Sequence, residues 1–181
     1  MGLSAIHKAF QDCVVAATGY ADDHVIWLYP NAPRPTLPYI GLHLLSMVKM
    51  GGDYFSKPDN LGKRRIYSDY YINLNITCFF TGDGSKINGF DILNDMRQKF
   101  RTEAIVAIFD TNKISLIKEL SNIVFIPSLI ATGFEQRAMI DIQFGIGTSI
   151  EEMLYIIEKV DGKGTIKTNG TDLEIDYKSE A

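Results

Sequence analysis

The stretch Glu135-Gln136-Arg137-Ala138-Met139-Ile140-Asp141-Ile142-Gln143-Phe144-Gly145-Ile146 carries the cleanest two-residue alternation in the chain. Gln136, Ala138, Ile140, Ile142, Phe144 and Ile146 fall on one side, and Glu135, Arg137, Met139, Asp141, Gln143 and Gly145 on the other. Successive side chains of a strand point to opposite faces, so this is a strand with one apolar face. Such a face is buried against other elements, and helices are its natural cover.

The rest of the chain supplies partners for that strand. Residues 66–80 alternate, with Ile66, Tyr70, Ile72, Leu74, Ile76, Cys78 and Phe80 on one face and Arg65, Asp69, Asn73, Asn75 and Thr77 on the other. Residues 39–50 also alternate, with Ile40, Leu42, Leu44, Val48 and Met50 opposed to His43 and Lys49. The two strands flank a polar stretch from Gly51-Gly52 to Gly62, which reads as a mobile turn, so they pair as a long antiparallel hairpin whose tip can protrude. Shorter strands are expected at 25–29 and 153–160, strand or irregular structure at 114–120 and 124–127, turns at Asp161-Gly162 and Asn169-Gly170, and an edge strand or loose tail at 173–177. Helical spacing over 4–18 (Ile6, Phe10, Cys13, Val14, Ala17) predicts an amphipathic helix with Ser4 as N-cap and Gly19 as its stop. Residues 88–101, capped by Asn88, and 102–112 read as two more helices, with a turn at 81–85. Four prolines between Pro30 and Pro38 make that segment a stiff extended loop, because each fixes φ and removes a backbone donor.

The order of helix, strands, helix, strands predicts an α+β fold: an antiparallel or mixed sheet with helices packed on one face and a protruding hairpin. The 181 residues fit one domain over 1–160, with 161–181 as a C-terminal extension. At 46% hydrophobic and 22% charged residues the chain can bury a core without disulfide or metal. Cys13 and Cys78 sit in apolar runs and read as buried free thiols. Met1-Gly2-Leu3-Ser4 lacks a charged region followed by an apolar one, so no signal peptide is expected, and no run approaches the roughly 20 apolar residues of a membrane span. Without secretion the Asn-x-Thr triplets at Asn75 and Asn169 carry no meaning. The net charge of −4 argues against a dedicated nucleic-acid binder. Residues 151–181 hold eight acids and four lysines, an asymmetry able to orient one subunit against another.

No pattern for catalysis or a cofactor emerges. His7, His24 and His43 have no ligand spacing. Gly82-Asp83-Gly84-Ser85 lacks the Lys-Ser/Thr pair of a phosphate loop, and Asp110-Thr111-Asn112 fails as a calcium loop at Ile114 and Ser121. Glu151 and Glu152, adjacent on a strand or opening an element, point to opposite faces. No nucleophile elbow is present. No metal, cofactor or catalytic residue is therefore expected. Lys63-Arg64-Arg65 is a basic run at a strand start, able to meet an acidic partner or DNA.

Two segments carry a resemblance. Asn31-Ala32-Pro33-Arg34-Pro35 followed by Leu37-Pro38-Tyr39 and a strand, and Phe134-Glu135-Gln136-Arg137-Ala138 opening another, resemble the phage neck terminator family in order and position, from about the first helix to about residue 160. The resemblance implies a non-catalytic α+β subunit that closes into a hexameric ring in the virion neck. That ring ends the tail tube and meets the head connector or collar, with DNA passing its lumen without sequence-specific binding. Assembly in the bacterial host's cytoplasm and no membrane contact follow from the same likeness. Pro33, Arg34, Pro35, Lys63, Arg64, Arg65, Phe134 and Arg137 are the candidate subunit-interface residues. A pre-ordered proline loop loses little entropy on docking, and ring closure needs two different faces. The competing readings are another virion ring (head–tail joining, collar or baseplate), a small cytosolic nucleotide-binding enzyme, and a DNA-binding accessory factor.

Overall fold

A computed structural model describes residues 3–28, 33–81, 88–130, 133–154, 159–168 and 171–180. The fold is α+β, with three helices and a mixed six-stranded sheet. Helix α1 is Leu3–Thr18, β1 is Val25–Trp27, β2 is Tyr39–Phe55 and β3 is Lys63–Thr81. Helices α2 (Gly89–Lys99) and α3 (Glu103–Thr111) follow, then β4 (Ile114–Glu119), β5 (Val124–Ile130) and β6 (Gly133–Met153). The strands run β1-β2-β3-β6-β4, with β5 also on β6. Strand β1 lies parallel to β2, and β4 and β5 are antiparallel to β6.

The expected helices are present. Gly19 ends α1 at φ +75°, its N–H donating to the Val15 carbonyl. Asn88 caps α2 by accepting from the Phe90 N–H at 3.0 Å. Helix α1 already includes Leu3, so Ser4 lies in its first turn and is not the residue before it. The apolar alternation of β6 is buried from Ala138 to Ile146, together with Ile72, Leu74, Ile76, Cys78 and Phe80 of β3 and Ile40 and Leu42 of β2. Ile6, Phe10, Cys13, Val14 and Ala17 of α1, Leu93 and Met96 of α2, and Ile105 and Phe109 of α3 join the same core. All three helices therefore cover one face. Phe144 is its centre, with ring centroids 4.9 Å from Phe10, 6.1 Å from Phe100 and 5.7 Å from Phe109.

The strands differ from expectation in length and in one register. Gly51-Gly52 is not a turn. Strand β2 runs through it to Phe55, and Gly51 takes φ +61° within the strand, a conformation open to glycine. The turn is confined to 56–62. Asp59 Oδ1 accepts from the Leu61 and Lys63 N–H groups at 2.9 Å, and Gly62 adopts φ +76°. Ser46 of β2 bonds Asn73, which alternates with buried Ile72 and Leu74. The alternation of β2 slips between Leu44 and Ser46, and Val48 beyond it is exposed. Met153 closes β6 and does not open a new strand. Asp161-Gly162 lies inside a strand, whereas residues 29–32, 82–87, 155–158 and 169–170 lie outside the described residues.

By compactness the chain divides in two. One unit is Met1–Tyr54 with Tyr67–Ser149, and the other is Phe55–Ile66 with Ile150–Ala181. The second holds a two-stranded antiparallel sheet of β7 (Lys159–Thr168) and β8 (Thr171–Glu180). Its register places Lys159, Asp161, Lys163 and Lys167 opposite Glu180, Lys178, Asp176 and Asp172. The alternate positions pair Ile166 with Leu173 and Gly164 with Ile175.

Candidate functional site: a clasp between the proline loop and β6

The sheet face away from the helices carries the charged and polar residues of β3 and β6. At the start of β6, Glu135, on the polar side of the alternation, is buried at 6% exposure. A buried carboxylate needs charged partners to offset its lost hydration. Arg137, two residues along the same strand face, donates to Glu135 Oε1 through Nε at 2.8 Å and Nη2 at 2.7 Å. The other oxygen, Oε2, takes Arg34 Nη1 of the proline loop at 3.5 Å. The Arg137 guanidinium lies 5.0 Å from the Phe79 ring centroid, and Phe79 stacks on buried Tyr39 at 4.5 Å. Burial pushes the Tyr39 phenol above its ordinary value. The cations of Arg34 and Arg137 pull it down and Glu135 adds to the rise.

The two sequence segments singled out above thus meet in one cluster, though Arg34 and Glu135 are 101 residues apart. Arg34 and Tyr39 come from one segment, Glu135 and Arg137 from the other. Pro33 is exposed and Pro35 half-buried, and the Arg34 side chain is 63% exposed, with donors left over for another partner. The backbone of Phe134 pairs with Leu129 in β5. Asn31 and Ala32 lie outside the described residues.

Farther along the same face, amide, hydroxyl and carboxylate groups bridge the strands. Asn73 donates to Ser46 Oγ at 3.0 Å and accepts from Gln143 at 2.9 Å, while Asn75 donates to Asp141 at 2.6 Å and accepts from Thr77 at 2.8 Å. Asn75 and Thr77, on the polar side of the alternation, are both buried at 7% exposure. The amide-rich spacing of Asn73, Asn75 and Gln143, where a solvated strand favours Lys and Glu, was the available signal. Opposite Asp141, the chain between β4 and β5 bulges, and Ser121 Oγ accepts the Asp141 N–H at 2.9 Å.

The basic run lies in the other unit. Arg64 Nε pairs with Glu152 at 2.6 Å, while Glu151 takes Lys63 at 3.4 Å and Arg65 at 4.0 Å. The alternation puts Arg64 and Glu152 on one face and Lys63, Arg65 and Glu151 on the other. The run is therefore paired within its own chain.

Groups for other chemistry do not converge. His7 stacks on Trp27 at 4.1 Å, and His24 Nδ1 lies 2.9 Å from the Pro38 carbonyl. Among the described residues no three His, Cys, Asp or Glu side chains gather to hold a metal, and no helix is long and apolar enough to cross a membrane. A concavity of about 480 Å³ between α3 and β4 is floored by Phe100, Phe109, Ile114 and Leu116. Its rim carboxylate Glu119 already pairs with Arg97 at 3.2 Å and Arg101 at 3.3 Å. A search of curated proteins finds no match to the chain. The family model described as phage neck terminator protein matches residues 4–171, a span that contains every element of the clasp. This chain belongs to the phage neck terminator protein family.

Proposed function

We propose that the protein is a non-catalytic virion subunit that closes into a ring, most simply a hexamer, ending the tail tube and joining it to the head connector or collar. The observation that carries this reading is the clasp. Glu135, held by Arg137, fixes Arg34 and so orders a proline loop whose outer side stays exposed. A loop ordered in advance loses little entropy when it meets a neighbour. Pro33, Arg34 and Pro35 then form a docking element, and Arg34 offers its unused donors to a carboxylate of the adjacent subunit. Phe134, at the strand start beside Glu135, extends the same contact. Lys63, Arg64 and Arg65 serve the interface through their side-chain stems and spare donors, since their charges are already matched by Glu151 and Glu152.

The function requires no cofactor. The tail-tube protein and the connector or collar proteins are the partners, and genomic DNA passes the lumen without being gripped, in keeping with the net charge of −4. Residues 1–160 form the ring body and 161–181 an appended segment. Assembly takes place in the host cytoplasm, and the finished protein resides in the virion neck. The test is particle mass by light scattering, alone and with tail-tube protein, followed by microscopy of labelled virions. A species of six subunits at the tube end supports the reading. A persistent monomer that never binds the tube refutes it.

A further inference from the structure

The central sheet has two open edges, and each carries a run of exposed apolar residues. On one side β4 and β5 pair only with β6 among the described residues. These strands and the link between them expose Ile117, Leu120, Val124, Phe125 and Ile126, with the Phe125 ring stacked 6.1 Å from Phe90 of α2; Lys118 and Glu119 close β4, and the sequence from Leu120 to Phe134 contains no charged residue. On the other side β1 ends at Trp27, so β2 has no second partner from residue 45 onward among the described residues. There Leu45, Met47 and Val48 are exposed, with Leu28 beyond the end of β1, and the first charge along β2 is Lys49. Natural sheet edges are usually blunted by charged residues, because an open apolar edge recruits other chains.

We infer that the β4–β5 edge of one copy docks on the β2 edge of the next copy of this chain. The inference rests on the ring reading above and supplies its contact. Two features select a second copy as the occupant. One is placement. The patches are different surfaces on opposite edges of one sheet, as a head-to-tail ring requires, whereas a two-fold dimer would use a single patch twice. The other is area. At about 200 Å² for a fully exposed large side chain, the β4–β5 patch offers roughly 440 Å² and the β2 patch roughly 360 Å². Together they supply about 800 Å² of apolar surface, close to the non-polar share of a standard interface of about 1,600 Å². Pro127 removes one donor from the β5 edge, so side-chain packing carries the contact more than a continuous backbone ladder.

Lysine at either edge should block it. The experiment compares the full wild-type chain with Ile126→Lys and Val48→Lys, each alone and mixed one to one, by light scattering with and without tail-tube protein. Val106→Lys, on an exposed α3 position, is the control that should leave assembly unchanged. Each edge variant alone should yield about ten-fold less ring or lower still, one buried lysine being worth at least that factor. The mixture should form a species of two subunits and nothing larger, because one sound junction remains between the two variants. That dimer also shows that both variants are folded. Wild-type-like rings from either edge variant, or a dimer of one variant alone, would overturn the edge assignment and leave the ring reading standing. A wild type that assembles under neither condition sinks both.

Discussion

Replacing Arg137 with alanine should be the most damaging single change in the clasp. The substitution removes both N–H donors from Glu135 Oε1, at 2.7 and 2.8 Å, and the cation over Phe79. Glu135 stays 6% exposed, with only Arg34 at 3.5 Å to balance it. Removing one partner of a buried ion pair costs about 3–5 kcal/mol, and a partly exposed cation over a ring about 0.5–1 kcal/mol. Arg137 is itself 30% exposed and Arg34 can shift closer, so about 3 kcal/mol is the expected loss. For a chain of this size that lowers Tm by about 6–12 °C. The assay is a double-mutant cycle in urea with Arg137→Ala, Glu135→Gln and the double variant. Glutamine carries no charge to strand, so the double variant should recover about 2 kcal/mol relative to Arg137→Ala alone. A coupling below about 0.5 kcal/mol would mean that Glu135 is hydrated in solution, and the clasp argument would fail.

Burial pushes the thiols of Cys13 and Cys78 up to about 12. Both should resist a thiol reagent at pH 8 in the native protein and react after denaturation. The unfolded thiols ionise near pH 8.5 while the folded ones stay protonated, so each loses about 1.4 kcal/mol of stability per pH unit above that point. Cys13→Ala should flatten alkaline unfolding by that slope, and an unchanged slope would contradict the burial argument. Gly89→Ala should destabilise by about 1–3 kcal/mol, since an added Cβ would sit 2.7 Å from Phe80 Cδ1, with Ala138 behind it at 3.2 Å. A rise in Tm would show that Phe80 can move aside. Glu152→Gln should change urea stability by less than about 1 kcal/mol, because its pair with Arg64 is partly open to solvent. A larger loss would assign that pair a structural role.

Much of this fold is legible in the chain because period and burial coincide there. Strand β6 was visible as a strand because its apolar face is buried without interruption from Ala138 to Ile146. Helices α1 and α2 were visible for the same reason at helical period, and Gly19 and Asn88 marked their ends. Legibility fails where local chemistry is overridden by partners distant in sequence. Gly51-Gly52 has turn composition, but the ladder to β3 carries β2 through it, with Gly51 absorbing the irregularity at φ +61°. Ser46 departs from a regular alternation that no single strand could reveal. The burial of Glu135, Asn75 and Thr77 is not visible in the alternation, because their partners, Arg137, Arg34 and Asp141, are identified only once the strands are paired. Of the clasp, the sequence showed its two halves as separate segments and gave no sign that they touch.

The β7–β8 hairpin works as an error-detecting code. In its native register four oppositely charged couples stand across from one another. A slip of one residue exchanges the two faces of the ribbon. A slip of two in one direction sets Lys163 against Lys178 and Asp161 against Glu180. The same slip in the other direction sets Lys159 against Lys178 and Asp161 against Asp176. Like charges directly opposite repel, so either frame shift raises two violations at once, while the correct frame raises none.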